Sequence, residues 1–513
     1  MKKLRISIID LLHNSPSQSL YRRYMFPNHA SIMPQIIGVW CREEGHEVHY
    51  SIYTGAQKIR HLTQDGTDIV IFSSFSFTAQ LAYALSALYR SRGIVTVLGG
   101  PHARSFPEDA CLYFDYVLGL TDQSLIRDLL HHFTTNRPQG ICLSGQSQPS
   151  AIPGVKERWQ FIEQIHRSSP LVKGVSMIGS FGCPYQCDFC IDADVPYQAL
   201  DTEMVREDLQ FILGKIKHPV VGWYDPNFGI RFNAMMETIE STVPEGRIRF
   251  IAECNLSTLT EANVKRLARN GFKMMMPGIE SWFGYGKKAK MESSSGLEKV
   301  MRIAEQVNMV QRHIPQVHTN LMFGFDTETG PEPFTFTKRF IDLAPGIFPA
   351  YALLTVFGKG TSAKVNQESR ERLIPFPFHM MHGLNNLNVI PMNYSWEEFY
   401  SHFLDLLKYS FSTRAMARRF RSNPMISAKW FTLFMSLSVG ASGKINQVSA
   451  TLERLRSDRE FRNFMEKETD QIPSFMIEQV RKDLGPLWEW LPDKTLSQRQ
   501  TTPVQPAQPV PSS

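Results

Sequence analysis

The sequence predicts an α/β protein in three parts. These are a doubly wound, Rossmann-like parallel sheet, a partial (β/α)6 barrel and a mainly helical C-terminal region. Three observations carry this. Short Val/Ile-rich runs alternate with helix-like stretches through residues 1–135, as in a parallel sheet covered on both faces. A second alternation over 171–361 supplies six more strands, too few to close an eight-stranded barrel. Beyond 362 the strand signal gives way to aromatics, leucines and basic residues at helical spacing.

In the first part, strands are expected at Arg5–Leu12, Val48–Tyr53, Asp68–Ser74, Ile94–Gly99 and Tyr116–Leu118, with helices at Ser31–Glu44 and Thr78–Arg92. Ligands of such sheets lie beyond the carboxyl ends of the strands. Those ends are the loops His13–Ser19, Ser73–Thr78 and Gly99–Ala103. Residues 136–170 read as a connector, Ser/Gln/Gly/Pro-rich at Gly140–Pro153. Barrel strands are expected at Gly174–Ser180, Val220–Tyr224, Arg247–Cys254, Phe272–Ile279, Val317–Phe323 and Tyr351–Phe357. The helical region spans 362–492. Four prolines and no charge in Thr501–Ser513 predict a disordered tail over 493–513.

The 513 residues are 42% hydrophobic with a net charge of +6, which excludes a disordered chain, a collagen and a small disulfide scaffold. Seven cysteines are too sparse for a disulfide framework. Cys41, Cys111 and Cys142 stand alone, and Cys254 reads as a small buried residue. Ile6–Leu12 contains Asp10 and reads as a strand, not a secretory segment. The longest apolar run, Trp430–Val439, is broken by Thr432 and two serines, so no membrane span is expected. A reducing cytoplasm follows, where clustered thiols serve metal or catalysis.

Ser180-Phe181-Gly182-Cys183-Pro184-Tyr185-Gln186-Cys187-Asp188-Phe189-Cys190 carries the chemistry. Three thiols, spaced C-x3-C-x2-C, follow a strand on a loop bent by Gly182 and Pro184. Such a loop can wrap an iron–sulfur cube. A zinc site or three plain buried thiols are the alternatives, although structural zinc wants four ligands. This spacing after the first barrel strand is the signature of the radical S-adenosylmethionine (SAM) superfamily. The resemblance covers residues 155–360. It implies that Cys183, Cys187 and Cys190 hold a [4Fe–4S] cluster whose open iron takes SAM, cleaved reductively to a 5′-deoxyadenosyl radical. It further implies SAM contacts from Phe189, from Asp225 and Asn227 after the second strand, and from Glu253 and Asn255 after the third. Glu280 and Ser281, in a Gly-x-Glu-Ser turn, and Asn320 complete that set.

An α/β domain ahead of such a barrel resembles the cobalamin (B12)-binding subclass. Leu98-Gly99-Gly100-Pro101-His102-Ala103 carries the resemblance, as does Tyr116-Val117-Leu118-Gly119, which resembles the last strand and its turn. Ser73, Ser74, Gly99, Gly100 and His102 are the implied cobalamin contacts. The Asp-x-His-x-x-Gly motif that supplies a lower cobalt ligand is absent. The resemblance implies a cobalamin-dependent C-methyltransferase, with no catalytic side chain assigned. A radical SAM oxidoreductase or cyclase without cobalamin, and a cofactor-binding sensor or assembly factor without turnover, are the alternatives. The expected partners are a small-molecule substrate and a reductant such as flavodoxin or ferredoxin. Arg414, Arg418, Arg419, Arg421 and Lys429 form a basic stretch, but no RNA-binding module follows, so nucleic acid is not expected.

Overall fold

The computed structural model describes residues 3–131, 140–185, 187, 189–193, 195–283, 296–359, 371–381, 386–441, 443–493 and 496. Gln186 and Asp188 of the motif, residues 136–139 of the connector and nearly all of the expected tail lie outside them.

The strands in chain order are β1 (Arg5–Leu11), β2 (Glu47–Tyr53), β3 (Ile69–Ser74), β4 (Val95–Gly99), β5 (Tyr116–Leu118), β6 (Ile141–Leu143), β7 (Gly174–Met177), β8 (Ser180–Phe181), β9 (Gln198–Ala199), β10 (Val220–Trp223), β11 (Arg249–Asn255), β12 (Phe272–Glu280), β13 (Gln316–Phe323) and β14 (Phe348–Leu353). The first six form one parallel sheet in the order β2-β1-β3-β4-β5-β6. All six residues of β3 are buried, as expected where helices cover both faces. The helices Ile32–Glu43 and Ala79–Ser91 provide much of that cover. A second parallel sheet runs β14-β13-β12-β11-β10-β7. Its outer strands do not pair with each other, so the barrel stays open, as six β/α units require.

Two features depart from the sequence expectation. The connector is folded: β6 adds a sixth strand beside β5, so Tyr116–Leu118 is not the last. Helix Val155–Ser168 then buries Val155, Phe161, Ile162 and Ile165. Its Arg158, 1% exposed, donates to the Pro153 and Gly154 carbonyls and to Gln35. Three residues between Gly- and Ser-rich flanks are too few to show a strand period. In addition, Cys111 and Cys142 do not stand alone but form a disulfide that pins β6 to the turn after helix Pro107–Ala110.

The C-terminal region is helical, with long helices at Trp396–Ser410, Thr413–Ser422, Ile426–Ala441, Lys444–Ser457 and Ser474–Leu484. Phe403 packs on Phe323 of β13, and Ser410 bonds the Tyr351 hydroxyl at 2.7 Å. The short helix Phe378–Met380 reaches the first domain, where the His379 N–H donates to Gln80. One apolar core runs through all three parts.

The carboxyl edges of the two large sheets meet. Arg104, just past β4, pairs with Asp192, two residues past Cys190, at 3.1 Å. A Cβ on Gly358, beyond β14, would lie 2.1 Å from the Ser105 carbonyl.

Candidate active site

The three cysteines lie on the segment that leaves β7. β8 and β9 pair antiparallel, Ser180 with Ala199 and Phe181 with Gln198, and so close the base of a loop over 182–197. The chain turns into this loop at Gly182, whose φ is +62°. A Cβ there would lie 2.5 Å from the carbonyls of both Val195 and Pro196, so only glycine lets the loop fold back this tightly. Cys183 and Cys187 are buried and Cys190 is half-buried. The Cys190 N–H donates to the Cys187 carbonyl at 3.0 Å. Among the described residues no three Cys, His, Asp or Glu groups converge as ligands of a single ion. In a cube each thiolate takes its own iron, so such ligands surround the cluster rather than share a point. Three thiols on one glycine-turned loop at the carboxyl edge of a parallel sheet therefore fit a [4Fe–4S] cluster.

Because the strands are parallel, the other expected SAM contacts gather at this same edge. Asp225, 7% exposed, accepts from the Gly179 N–H (2.8 Å) and the Ser180 hydroxyl (2.6 Å). Burial pushes its carboxyl pKa up, and those donors oppose the shift. Its two oxygens thus brace the base of the cysteine loop. Arg231, which the sequence reading missed, donates to the Gly179 carbonyl from the other side. Asn227 and Asn255 come together: the Asn227 side-chain oxygen accepts from the Gly229 and Asn255 N–H groups. The Asn227 Nδ2 is buried without a partner, a donor at the sheet edge that a ligand can take. Asn255 turns its own oxygen to Thr258. Glu253 is exposed between buried Ala252 and Cys254, and Cys254 is the buried small residue expected.

Glu280 ends β12 at a register break and holds φ at +63°, one of two described non-glycine residues with positive φ. Strain of that kind collects at functional sites. Gly278 makes room for it, since a Cβ there would lie 2.3 Å from the Glu280 Oε1. Ser281 is buried and donates to Glu328 at 3.0 Å. Glu328 is a second residue that sequence reasoning missed. It also accepts the Gly324 and Phe325 N–H groups, and burial pushes its carboxyl up to about 7. An acid just past the fifth barrel strand was the available signal. The Phe189 ring meets Phe325 edge-on at 5.8 Å, so the cysteine loop reaches across to β13. Asn320 lies on β13, in register with Gly278 and Ala350.

At the first sheet, Gly100 has φ +92°, and a Cβ would lie 2.9 Å from the Ser74 nitrogen. Gly99 is buried at the end of β4, and a Cβ there would meet only the Phe72 carbonyl, at 3.8 Å. Ser73 and Ser74 are buried, and Ser74 bonds Thr78 and the Phe75 carbonyl. His102 is corrected. It is fully buried, its Nε2 lies 2.7 Å from the Tyr83 hydroxyl, its Nδ1 faces Ser76, and its ring packs on Phe106 and Phe378. Burial pushes its imidazole down to about 3. It is a core histidine rather than an exposed cobalamin contact.

An open parallel barrel with this cysteine loop, joined edge to edge with a doubly wound sheet, defines a radical SAM enzyme. Residues 177–335 match the family model of the Radical SAM superfamily. Two curated relatives come from Chlorobaculum tepidum. Bacteriochlorophyllide d C-12(1)-methyltransferase is 22% identical over 377 residues, 72% of this chain and 80% of that protein. Bacteriochlorophyllide d C-8(2)-methyltransferase is 24% identical over 231 residues, 42% of this chain and 50% of that protein. Two solved structures share the fold. The radical SAM methyltransferase TsrM from Kitasatospora setae, with cobalamin and [4Fe-4S] cluster bound, has a TM-score of 0.50 at 14% identity over 69% of this chain and 73% of its own. The cobalamin-dependent radical SAM enzyme OxsB has a TM-score of 0.52 at 13% identity over 96% of this chain and 79% of its own. The cofactors of such an enzyme are a [4Fe–4S] cluster and SAM.

Proposed function

We propose that this enzyme is a cobalamin-dependent C-methyltransferase. The observation that carries the reading is the meeting of the two carboxyl edges through Arg104 and Asp192. A ligand held over Gly99 and Gly100 would face one held by the cysteine loop. When bound, the cluster and cobalamin would supply reductive cleavage of SAM and delivery of a methyl group. Cys183, Cys187 and Cys190 would hold the cluster, and Gly99 and Gly100 would let the corrin face approach the backbone. Asp225 and Arg231 act as positioning residues that fix the cysteine loop. Asn227 would donate its unpartnered amide hydrogens to SAM, and Glu253, Glu280 and Asn320 would orient it from the neighbouring strands. Such alignment of the reacting groups is the protein's main contribution. The proposed domain limits are 1–135, 171–361 and 362–492, with the connector 136–170 between the first two. The electron donor would be a flavodoxin or ferredoxin, and the setting a reducing cytoplasm, in which the Cys111–Cys142 pair would stand as a dithiol. The curated relatives' names support a large flat ring, such as a chlorophyll-type pigment precursor, as the first substrate to test.

The experiment is turnover of anaerobically reconstituted, cobalamin-loaded protein with methyl-labelled SAM, dithionite and the candidate pigment precursor. Label in the product supports the reading. Formation of 5′-deoxyadenosine with altered but unlabelled product would establish the oxidoreductase instead. The Cys183→Ala, Cys187→Ala, Cys190→Ala triple variant should lose the cluster's visible absorbance and all 5′-deoxyadenosine formation. Survival of that absorbance would overturn the ligand assignment.

A further inference from the structure

The helix Ile426–Ala441 is turned inside out. Its inward stripe is Ala428, Thr432 and Ser436, all buried, and the Ser436 hydroxyl accepts from Arg419 at 2.9 Å. Its outward stripe is Ile426 (73% exposed), Trp430 (60%), Phe434 (50%) and Leu437 (53%), one face of a helix by spacing. A surface helix of a water-soluble domain presents the opposite arrangement. Large apolar patches left outside mark an interaction site.

The stretch of chain that carries this stripe has charge of one sign. Between Asp405 and Glu453 the chain has no acidic residue and seven Lys or Arg. The fold uses three of the seven. Arg419 is buried against the Ile347 and Ser410 carbonyls, Arg418 pairs with Asp342, and Lys444 donates to the Tyr351 carbonyl. Arg414 and Arg421 are exposed on helix Thr413–Ser422, which packs beside the inverted helix. The ammonium of Lys429 lies over the Phe420 ring, which itself meets Trp430.

We propose that this face docks the enzyme onto an anionic lipid surface. Ile426, Trp430, Phe434 and Leu437 enter the boundary between headgroups and acyl chains, and Arg414, Arg421 and Lys429 meet lipid phosphates. The 16-residue helix is about 24 Å long, and no described helix is long and apolar enough to cross a membrane. It therefore lies in the interface plane. A second copy is the poorer occupant, because a two-fold contact sets each patch against itself and brings Arg414 and Arg421 against like charge. The proposal is independent of the reaction assigned above.

The test is flotation of the full-length, cluster-loaded protein with phosphatidylcholine vesicles, with and without phosphatidylglycerol. The expected result is flotation with the anionic vesicles alone, weakening as salt is raised. Ile426→Gln with Trp430→Gln should lower the floated fraction roughly tenfold. Arg414→Gln with Arg421→Gln should lower it and flatten its salt dependence. All four positions are exposed, so unfolding temperature and cluster absorbance should stay at wild-type values. If the paired apolar variant unfolds early, Leu437→Gln alone gives the same reading with less perturbation. Equal flotation of wild type and apolar variant overturns the proposal, as does flotation that ignores phosphatidylglycerol. A wild-type dimer that fails to float, and that the apolar variant converts to monomer, assigns the face to a second copy and overturns it as well.

Discussion

Glu328 is the acid at the barrel mouth whose proton affinity the fold changes most visibly. Burial pushes it from 4.5 to about 7 against three hydrogen bonds that favour the charged form. The folded chain therefore keeps this proton where the unfolded chain has released it. Its contribution to stability is full below pH about 4.5, falls as pH rises to about 7, and is constant above that. The change amounts to roughly 3 kcal/mol. Glu328→Gln removes the titration, so urea midpoints measured across that window should show a flatter decline than in the wild type. An unchanged slope would mean that Glu328 is ionised throughout. The residue was hard to read from sequence for a physical reason. It sits in a polar loop, Gly324–Gly330, and its partner Ser281 is 47 positions away. The cysteines were legible because their ligand geometry is local, whereas hydrogen bonds between strand ends leave no spacing. His102 shows the converse: a histidine beside a glycine pair reads as a cofactor contact on an exposed loop, but its partners, Tyr83 and Phe378, come from other elements and bury it.

The strands of the first sheet could be read because parallel strands buried on two faces are nearly continuous apolar runs, and those of the barrel because buried residues alternate with half-buried or exposed ones. Five of the six barrel strands fall within three residues of the expected runs, and β14 starts three residues and ends four residues before the expected Tyr351–Phe357. β6 escaped, being three residues long, and the structure holds it by other means. Pairing with β5 on one side and the disulfide from Cys142 to Cys111 on the other fix this edge strand. A crosslink closing a loop of 31 residues stabilises by about 3–4 kcal/mol in the chain-entropy account. Cys142→Ser should lower the unfolding temperature of oxidised protein and leave that of fully reduced protein unchanged, as scanning calorimetry with and without reductant would record. Equal unfolding temperatures for oxidised wild type and variant would show that β5 pairing alone holds the strand.

At the scale of the whole molecule, each large sheet presents one glycine-turned loop at a shared edge, and the proposed reaction needs both. Gly182 turns the cysteine loop back on Val195 and Pro196, and Gly100 lets the loop after β4 pass against Ser74. Either glycine changed to Ala introduces a Cβ at positive φ, at about 1–2 kcal/mol, together with a backbone contact under 3 Å. The two loops sit on different sheets, so the losses should separate. Gly182→Ala should lower iron content and 5′-deoxyadenosine formation and leave bound corrin near wild type. Gly100→Ala should lower bound corrin, read by its visible absorbance, and leave iron content near wild type. Both should lose methyl transfer, because neither loop can present its cofactor alone. If wild-type protein binds no corrin and leaves its product unlabelled, and Gly100→Ala keeps full 5′-deoxyadenosine formation, the first sheet serves another purpose and the oxidoreductase reading takes over. If Gly100→Ala loses iron as well, the Arg104–Asp192 contact transmits the distortion and the two edges act as one folded unit. Arg104→Ala then separates these cases, since cutting the ion pair should restore independent loss.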